Sequence, residues 1–305
     1  MAAAPPATAI RASNPEGARW MLASVAGATG MTVAVRLLTP DVHSAMLAFL
    51  RAGFAAVLVL PFLWKARRSG VALRFSAWKL HLLRGILIAA ALNLGFYSIW
   101  KLPMATATIL FFTAPVFATV LAGPILGEVA GPRRWAATLL GFVGAVVVLR
   151  PGLSGFEPAM LASLGSSVAF ALTLLTGKLA ARADGNDAVF VSSSAVVAVA
   201  TLPPALVWWE LPTELWRWGV VVLLVMTSAL RQYADIRAYS AGEAAFLAPF
   251  SYLRLLTVGL AGYVFFGETI DAATGLGGTI IILSTLYIAL REAQLRPPGR
   301  RAAGP

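Results

Sequence analysis

Ten apolar runs, each long enough to cross a bilayer and separated by short loops, dominate this 305-residue chain. They fall at 18–38, 42–64, 79–100, 104–126, 132–149, 159–180, 188–209, 215–238, 244–266 and 270–290, numbered here as spans 1 to 10. A helix that covers the hydrocarbon layer needs ~17–25 apolar residues. A soluble core cannot absorb ten such runs, because its surface must still face water. Only 12% of residues are charged, against roughly 25% in an average soluble domain. The expected fold is an all-α integral membrane protein with ten transmembrane helices.

The net charge of +11 does not mark a nucleic-acid binder. The basic residues are dispersed between apolar runs rather than gathered on one face. They set an orientation instead, since Lys and Arg in short loops stay cytoplasmic. With both tails inside, the cytoplasmic segments hold Arg11, Arg19, Lys65, Arg67, Arg68, Arg74, Lys79, Arg84, Arg133, Arg134, Lys178, Arg182, Arg237 and the tail residues Arg291, Arg296, Arg300 and Arg301. The opposite side holds only Arg36, Lys101, Arg150 and Arg217. All nine tryptophans fall near span ends, where an indole prefers the headgroup layer. The first run has a basic flank like that of a secretory signal, but it belongs to an internal repeat and is read as a permanent span.

That repeat divides the chain. Met21-Leu22-Ala23-Ser24 opens span 1 and Met160-Leu161-Ala162-Ser163 opens span 6. Gly127-Glu128 closes span 4 as Gly267-Glu268 closes span 9, and Ala137-Thr138 with Leu140-Gly141 matches Ala273-Thr274 with Leu276-Gly277. An odd number of helices per half makes the second half enter the membrane from the other side. The expected organisation is a cytoplasmic tail (1–17), two inverted five-helix repeats (18–152 and 153–290) and a basic cytoplasmic tail (291–305). Inverted repeats of this kind serve alternating access in secondary transporters, with the substrate near the midplane. A chain carrying its own pair of repeats is expected to work as a monomer.

The sequence resembles the drug/metabolite transporter superfamily, specifically its EamA-type exporters. The likeness is carried by Ala48-Phe49-Leu50-Arg51-Ala52-Gly53-Phe54 in span 2 and by Ala114-Pro115-Val116-Phe117-Ala118 through Gly127-Glu128 in span 4. Leu139-Leu140-Gly141-Phe142-Val143-Gly144-Ala145 and Arg150-Pro151-Gly152 carry it at span 5. The second half departs from the pattern, with Leu255 where the counterpart of Pro115 is expected. Within the superfamily the chain looks most like the YddG-type aromatic amino acid exporters. The resemblance implies a central cavity lined by spans 1, 3, 4, 6, 8 and 9, and efflux across a bacterial inner membrane.

Charges inside a bilayer point to a site, because they are costly unless they face protein or a water-filled cavity. Arg231 and Asp235 stand four residues apart on one face of span 8 and read either as an ion pair or as a carboxylate fork with an acidic neighbour. Arg254 in span 9 has no evident partner and reads as a substrate or gating residue; Arg51, outside the implied lining, reads as structural. Asn93, Tyr97 and Trp100 share a face of span 3, and under the repeat Asn93 and Tyr97 match Arg231 and Asp235. Their rings suit stacking and cation–π contact, or simple anchoring at the interface. Ser163, Ser167, Thr227 and Ser251 add hydroxyls that either meet substrate or bond across helices.

No phosphate-binding loop is present, and Gly177-Lys178-Leu179 lacks the features of one. With no Cys and two His, a metal site is not expected, nor any cofactor, nor an enzyme. The expected function is export of amino acids, aromatic ones favoured, with lipid and a small-molecule substrate as partners. The alternatives are the same fold exporting drug-like cations or other metabolites, and a membrane scaffold or enzyme without transport.

Overall fold

The structure, a computed structural model, describes residues 14–68, 74–127, 131–149, 156–241 and 244–295. Among these the regular elements are all helical: α1 (Asn14–Leu38), α2 (Ser44–Arg68), α3 (Trp78–Lys101), α4 (Met104–Phe111), α5 (Ala114–Leu126), α6 (Pro132–Leu149), α7 (Ala159–Asp184), α8 (Asn186–Val207), α9 (Leu215–Ala241), α10 (Ala244–Phe266) and α11 (Ala272–Leu295). Six segments are long and apolar enough to span a membrane, and Ser44–Val57, Trp135–Leu149, Phe250–Phe266 and Ala272–Tyr287 are shorter apolar helices. Met104–Leu126 counts as one of the six. These are the ten runs read from the sequence. Glu128 and Arg150-Pro151-Gly152 lie outside the described residues.

The division of span 4 into α4 and α5 has a local cause. Pro115 lacks an N–H, and its ring opposes the carbonyl of Phe111 one turn back, so the ladder breaks at Phe112-Thr113. The Leu110 carbonyl accepts the Thr113 N–H (3.1 Å) in a tightened turn and, in addition, the hydroxyls of Thr113 (2.6 Å) and Ser167 of α7 (2.9 Å). A backbone group freed inside a membrane must find such a partner. α10, with Leu255 where the sequence led us to expect a counterpart of Pro115, runs on unbroken. Gly127 (φ 69°) and Gly267 (φ 65°) end α5 and α10 in the left-handed conformation, which glycine adopts without a steric penalty.

The bundle is apolar outside, and its interior mixes large apolar side chains such as Met46, Leu47 and Ile281 with many small and hydroxyl residues. Leu139, Val199, Leu256, Leu260 and Leu276 are exposed, whereas Ala34, Thr32, Ser98, Ser163 and Ala171 are buried. Water would drive such a surface to associate, and lipid does not. With no hydrophobic force between helices in lipid, close backbone approach supplies the packing. α1 lies on α9, α3 on α7 and α6 on α11. A Cβ added at Gly27 would meet the Arg231 nitrogen and Thr227 carbonyl oxygen of α9 at 2.8 Å. Gly144 and Gly277 face each other's carbonyls in the same way, at 2.8 and 2.6 Å.

Candidate substrate site

The close α1–α9 seam fixes the central polar cluster. Because Gly27 lets α1 touch the backbone at Arg231, the side chain of Ser24, one turn earlier, reaches α9 and its hydroxyl donates to Asp235 Oδ1 in a short hydrogen bond. Asp235 Oδ2 stands 3.8 Å from Arg231 Nε, so the i, i+4 pair expected on this face is present but loose. On α10, Arg254 lies one turn before Thr257, whose hydroxyl meets that of Thr29 of α1 at 2.6 Å, and α2, which carries Arg51, packs against α9. The Nε atoms of Arg51 and Arg254 are shielded from water and have no hydrogen-bond partner. Arg51 was expected to serve structure alone, yet it makes no hydrogen bond or ion pair to any described residue. An arginine near mid-bilayer costs ~2.5–3.5 kcal/mol on insertion scales, so two without partners need an explanation.

The ten residues singled out from the sequence separate into three places. Arg231, Asp235 and Arg254 gather at the α1–α9–α10 junction. Thr227 lies on the same seam, but its hydroxyl bonds back to the Leu223 carbonyl (2.6 Å) and its methyl packs against Gly30. Ser251 is one turn before Arg254 on α10 and is already engaged in a contact of its own. Asn93 and Ser163 sit on the packed pair α3 and α7. The Asn93 amide donates to the Ala89 carbonyl (2.9 Å), while its Oδ1 and the Ser163 hydroxyl are buried without partners. Ser167 is spent on the α4 break. Tyr97 and Trp100 lie toward the end of α3, ring to ring at 6.0 Å, and Trp100 also meets His43 edge-on at 5.1 Å and Lys101 Nζ at 3.7 Å.

Two further clusters were not found from the sequence. At the end of the bundle that holds Trp100, Arg36 donates to the carbonyls of Ile99 (3.0 Å) and Trp100 (2.5 Å) and pairs with Glu268 at 3.0 Å. Glu268 Oε2 accepts from the Met104 N–H at 2.7 Å. One carboxylate thus ties α1, the start of α4 and the α10–α11 turn. Although it closes a span, Glu268 is shielded, with only 11% of its side chain exposed. Gly267 turns the chain back so that this carboxylate points into the bundle. At the same end Arg217 pairs with Asp41 at 3.0 Å, and His43 stacks on Trp208 at 4.3 Å.

At the opposite end, where α1 begins, Asp184 of α7 accepts from the Ser76 (3.0 Å) and Ala77 (2.9 Å) N–H groups and from the Ser76 hydroxyl, capping α3 from another helix. His81 bridges Asp184 (3.0 Å) and the Ser192 hydroxyl (2.7 Å). Glu16 and Arg237, each about half exposed, approach only to 3.7 Å. A cavity of about 570 Å³ opens there, lined by Pro15, Glu16, Arg19, Trp20 and Ala23 of α1. A second, of about 370 Å³, lies at the Glu268 end beside Arg36, Trp100 and Phe266. Neither is lined by Arg231 or Arg254.

Residues 16–150 match the EamA-like transporter family. The chain is 31% identical over 276 residues to an S-adenosylmethionine uptake transporter of Rickettsia bellii, covering 90% of this chain and 94% of that one. This chain belongs to the EamA-like transporter family. It is also 31% identical over 282 residues to a riboflavin transporter of Vibrio cholerae, covering 92% and 94%. A pseudopaline exporter of Pseudomonas aeruginosa is 27% identical over 264 residues, covering 85% and 90%. A solved crystal structure shares the fold at a TM-score of 0.59 and 17% identity, over 93% of this chain and 100% of that one. As an EamA-like transporter the chain is a multi-pass membrane protein that moves a small molecule, and is not an enzyme.

Ser24 is the member of the central cluster that the sequence held in plain view. It is the fourth residue of Met21-Leu22-Ala23-Ser24, whose partner motif ends in Ser163, and only Ser163 drew notice. The Arg36–Glu268 tie joins residues 232 positions apart in sequence, and no local pattern announces it.

Proposed function

We propose that this transporter exports amino acids and their derivatives, aromatic ones favoured, by alternating access across a bacterial inner membrane with both tails cytoplasmic. The observation that carries this is the Arg231–Asp235 pair, held against Ser24 at the α1–α9 seam. A guanidinium presents a planar fork to a carboxylate, and a neighbouring carboxylate can receive an ammonium. The pair is loose enough, at 3.8 Å, to admit both halves of such a head group. Tyr97 and Trp100 supply ring faces nearer the Glu268 end. The cargoes named for two relatives, S-adenosylmethionine and riboflavin, both contain flat heteroaromatic rings.

The packing supports two inverted repeats, 18–152 and 153–290. Exchanging each helix for its counterpart in the other half turns the α1–α9 pair into the α3–α7 pair, which is also present, and returns α6–α11 to itself. The contact of α1 with α10 likewise becomes the contact of α7 with α4 and α5. Two halves so related have two equivalent ways to lean. In the state described here the Glu268 end is tied by buried groups, while the end with the 570 Å³ cavity is joined by the looser Glu16–Arg237 pair. An exporter loads from that side.

The test is counterflow of labelled tryptophan, phenylalanine, threonine and a cationic dye in proteoliposomes, with and without a pH gradient, with the reconstituted orientation fixed by labelling of the tails. Export predicts faster counterflow of tryptophan than of the dye, and loss of flux in Arg231→Ala without loss of folded protein. Equal flux of dye and amino acid, or tails on opposite faces, overturns the reading.

A further inference from the structure

We infer that the recognised end of the cargo carries two negative charges: the α1–α2–α9–α10 junction is a site for an organic dianion. This rests on the proposed transport of amino acid derivatives and narrows it to those with a second acidic group. The reason is charge balance. Three guanidiniums, Arg51, Arg231 and Arg254, share this region with one carboxylate, Asp235, which leaves two positive charges over. Every other described acid sits at or beyond a helix end. Asp235 accepts from Ser24 and stands 3.8 Å from Arg231 Nε, so it offsets at most one of the three charges. Among the described residues no carboxylate remains for Arg51 and Arg254, whose Nε atoms are buried and unpartnered.

Like charges in a poorly screened interior repel. Only an anion entering from outside relieves this. A neutral zwitterion does not, since it brings an ammonium for every carboxylate and leaves the excess unchanged. A monoanion removes half of it. A dianion brings the junction to neutrality and gives each unpaired arginine a partner of matching geometry. The site therefore selects by net charge, and a small cation is rejected by the same excess.

The measurement is ligand binding to the purified full chain in detergent, read by intrinsic tryptophan fluorescence. The probes are glutamine, glutamate and N-acetylglutamate, which keep the carbon frame and step the net charge from zero to minus one to minus two. A charge-assisted contact is worth about tenfold or more, so Kd should fall about tenfold at each step. In Arg254→Gln and Arg51→Gln the step from glutamate to N-acetylglutamate should shrink to threefold or less. Arg254→Lys, which keeps the charge, should restore part of it. Equal or absent binding across the three probes overturns the inference, as does an unchanged charge preference in both glutamine variants. The wild-type series decides even if a variant fails to fold. Tryptophan counterflow with no preference for the dianion would sink this inference and leave the transport reading standing. Tight dianion binding without counterflow of any amino acid would do the reverse.

Discussion

Replacing Glu268 by Gln should open the end of the bundle that Arg36 and Glu268 hold together. The substitution keeps the side chain's size and one oxygen to accept the Met104 N–H, now at 2.7 Å, but removes the charge facing Arg36 at 3.0 Å. Hydrogen bonds and pairs involving a charged group contribute ~1.5–3 kcal/mol when poorly solvated. The lower figure applies here, for two reasons. A quarter of the Arg36 side chain is still exposed, so solvent screens part of the attraction. Arg36 also keeps its two carbonyl acceptors. About 1.5 kcal/mol corresponds to a tenfold rise in the population with this end open.

The chain has no cysteine, so a single reporter can be placed without first removing any. Ala105 suits it: the residue is 3% exposed, directly follows Met104, and faces α10 at Gly259. The rate at which a membrane-impermeant maleimide labels Ala105→Cys then reports opening. Adding Glu268→Gln should raise that rate about tenfold, and Arg36→Gln should match it because the two residues form one tie. An unchanged rate in a folded double variant would show that the ion pair does not hold this end shut.

Three other substitutions test separate parts of the structure. Gly27→Ala should lower stability by ~1–3 kcal/mol, since its Cβ meets two backbone atoms of α9 at 2.8 Å that have nowhere to go. Gly53→Ala, with open space around it, should be neutral or slightly stabilising; equal melting temperatures for the two would refute the seam. Asp184→Asn leaves the first N–H groups of α3 with a weaker acceptor and His81 without its anion, and should cost ~1–2 kcal/mol, read as earlier thermal unfolding with no change in maleimide labelling at Ala105→Cys. Burial between rings holds the His43 imidazole below its ordinary protonation range, with Glu210 opposing and Lys101 adding to the shift. Its contribution is therefore in place above about pH 6.5 and lost as pH falls through the lower folded value; the melting temperature should drop between pH 7.5 and 5, and drop less in His43→Phe.

The fold was legible because lipid imposes a length rule that needs no tertiary knowledge. Each crossing helix must satisfy its own backbone, so ten apolar runs became ten helical segments, and α6 and α10 have the bounds read from the sequence, Pro132–Leu149 and Ala244–Phe266. The break at Phe112-Thr113 was not anticipated, although Pro115 was noted as part of a signature, because its consequence depends on Ser167 of α7 being there to take the freed carbonyl. The site was legible only in part. Arg231, Asp235 and Arg254 stand out as charges inside apolar runs, which is a one-dimensional signal. Arg51 gives the same signal but was set aside on the implied lining of the family, and its unpartnered Nε brings it back. Ser24 and Glu268 matter through what lies across the bundle. Neither residue type nor spacing distinguishes them from the other hydroxyls and loop acids.

The central cluster and the tied end are mechanically joined, because α1 contributes to both. Ser24 and Arg36 lie on one continuous helix, 12 residues apart, or about 18 Å along its axis. Its contact with α9 at Gly27 and Gly30 is too close to slide without separating, since a packed seam has discrete arrangements rather than a continuum. A change in the Ser24–Asp235 bond acts on one side of Gly27 and so biases the whole helix. The free energy available for that bias is limited to the difference in how tightly cargo binds the two arrangements. A tie of about 1.5 kcal/mol at Glu268 is of a size that such a difference can overcome. One several times stronger would hold this end shut whatever was bound.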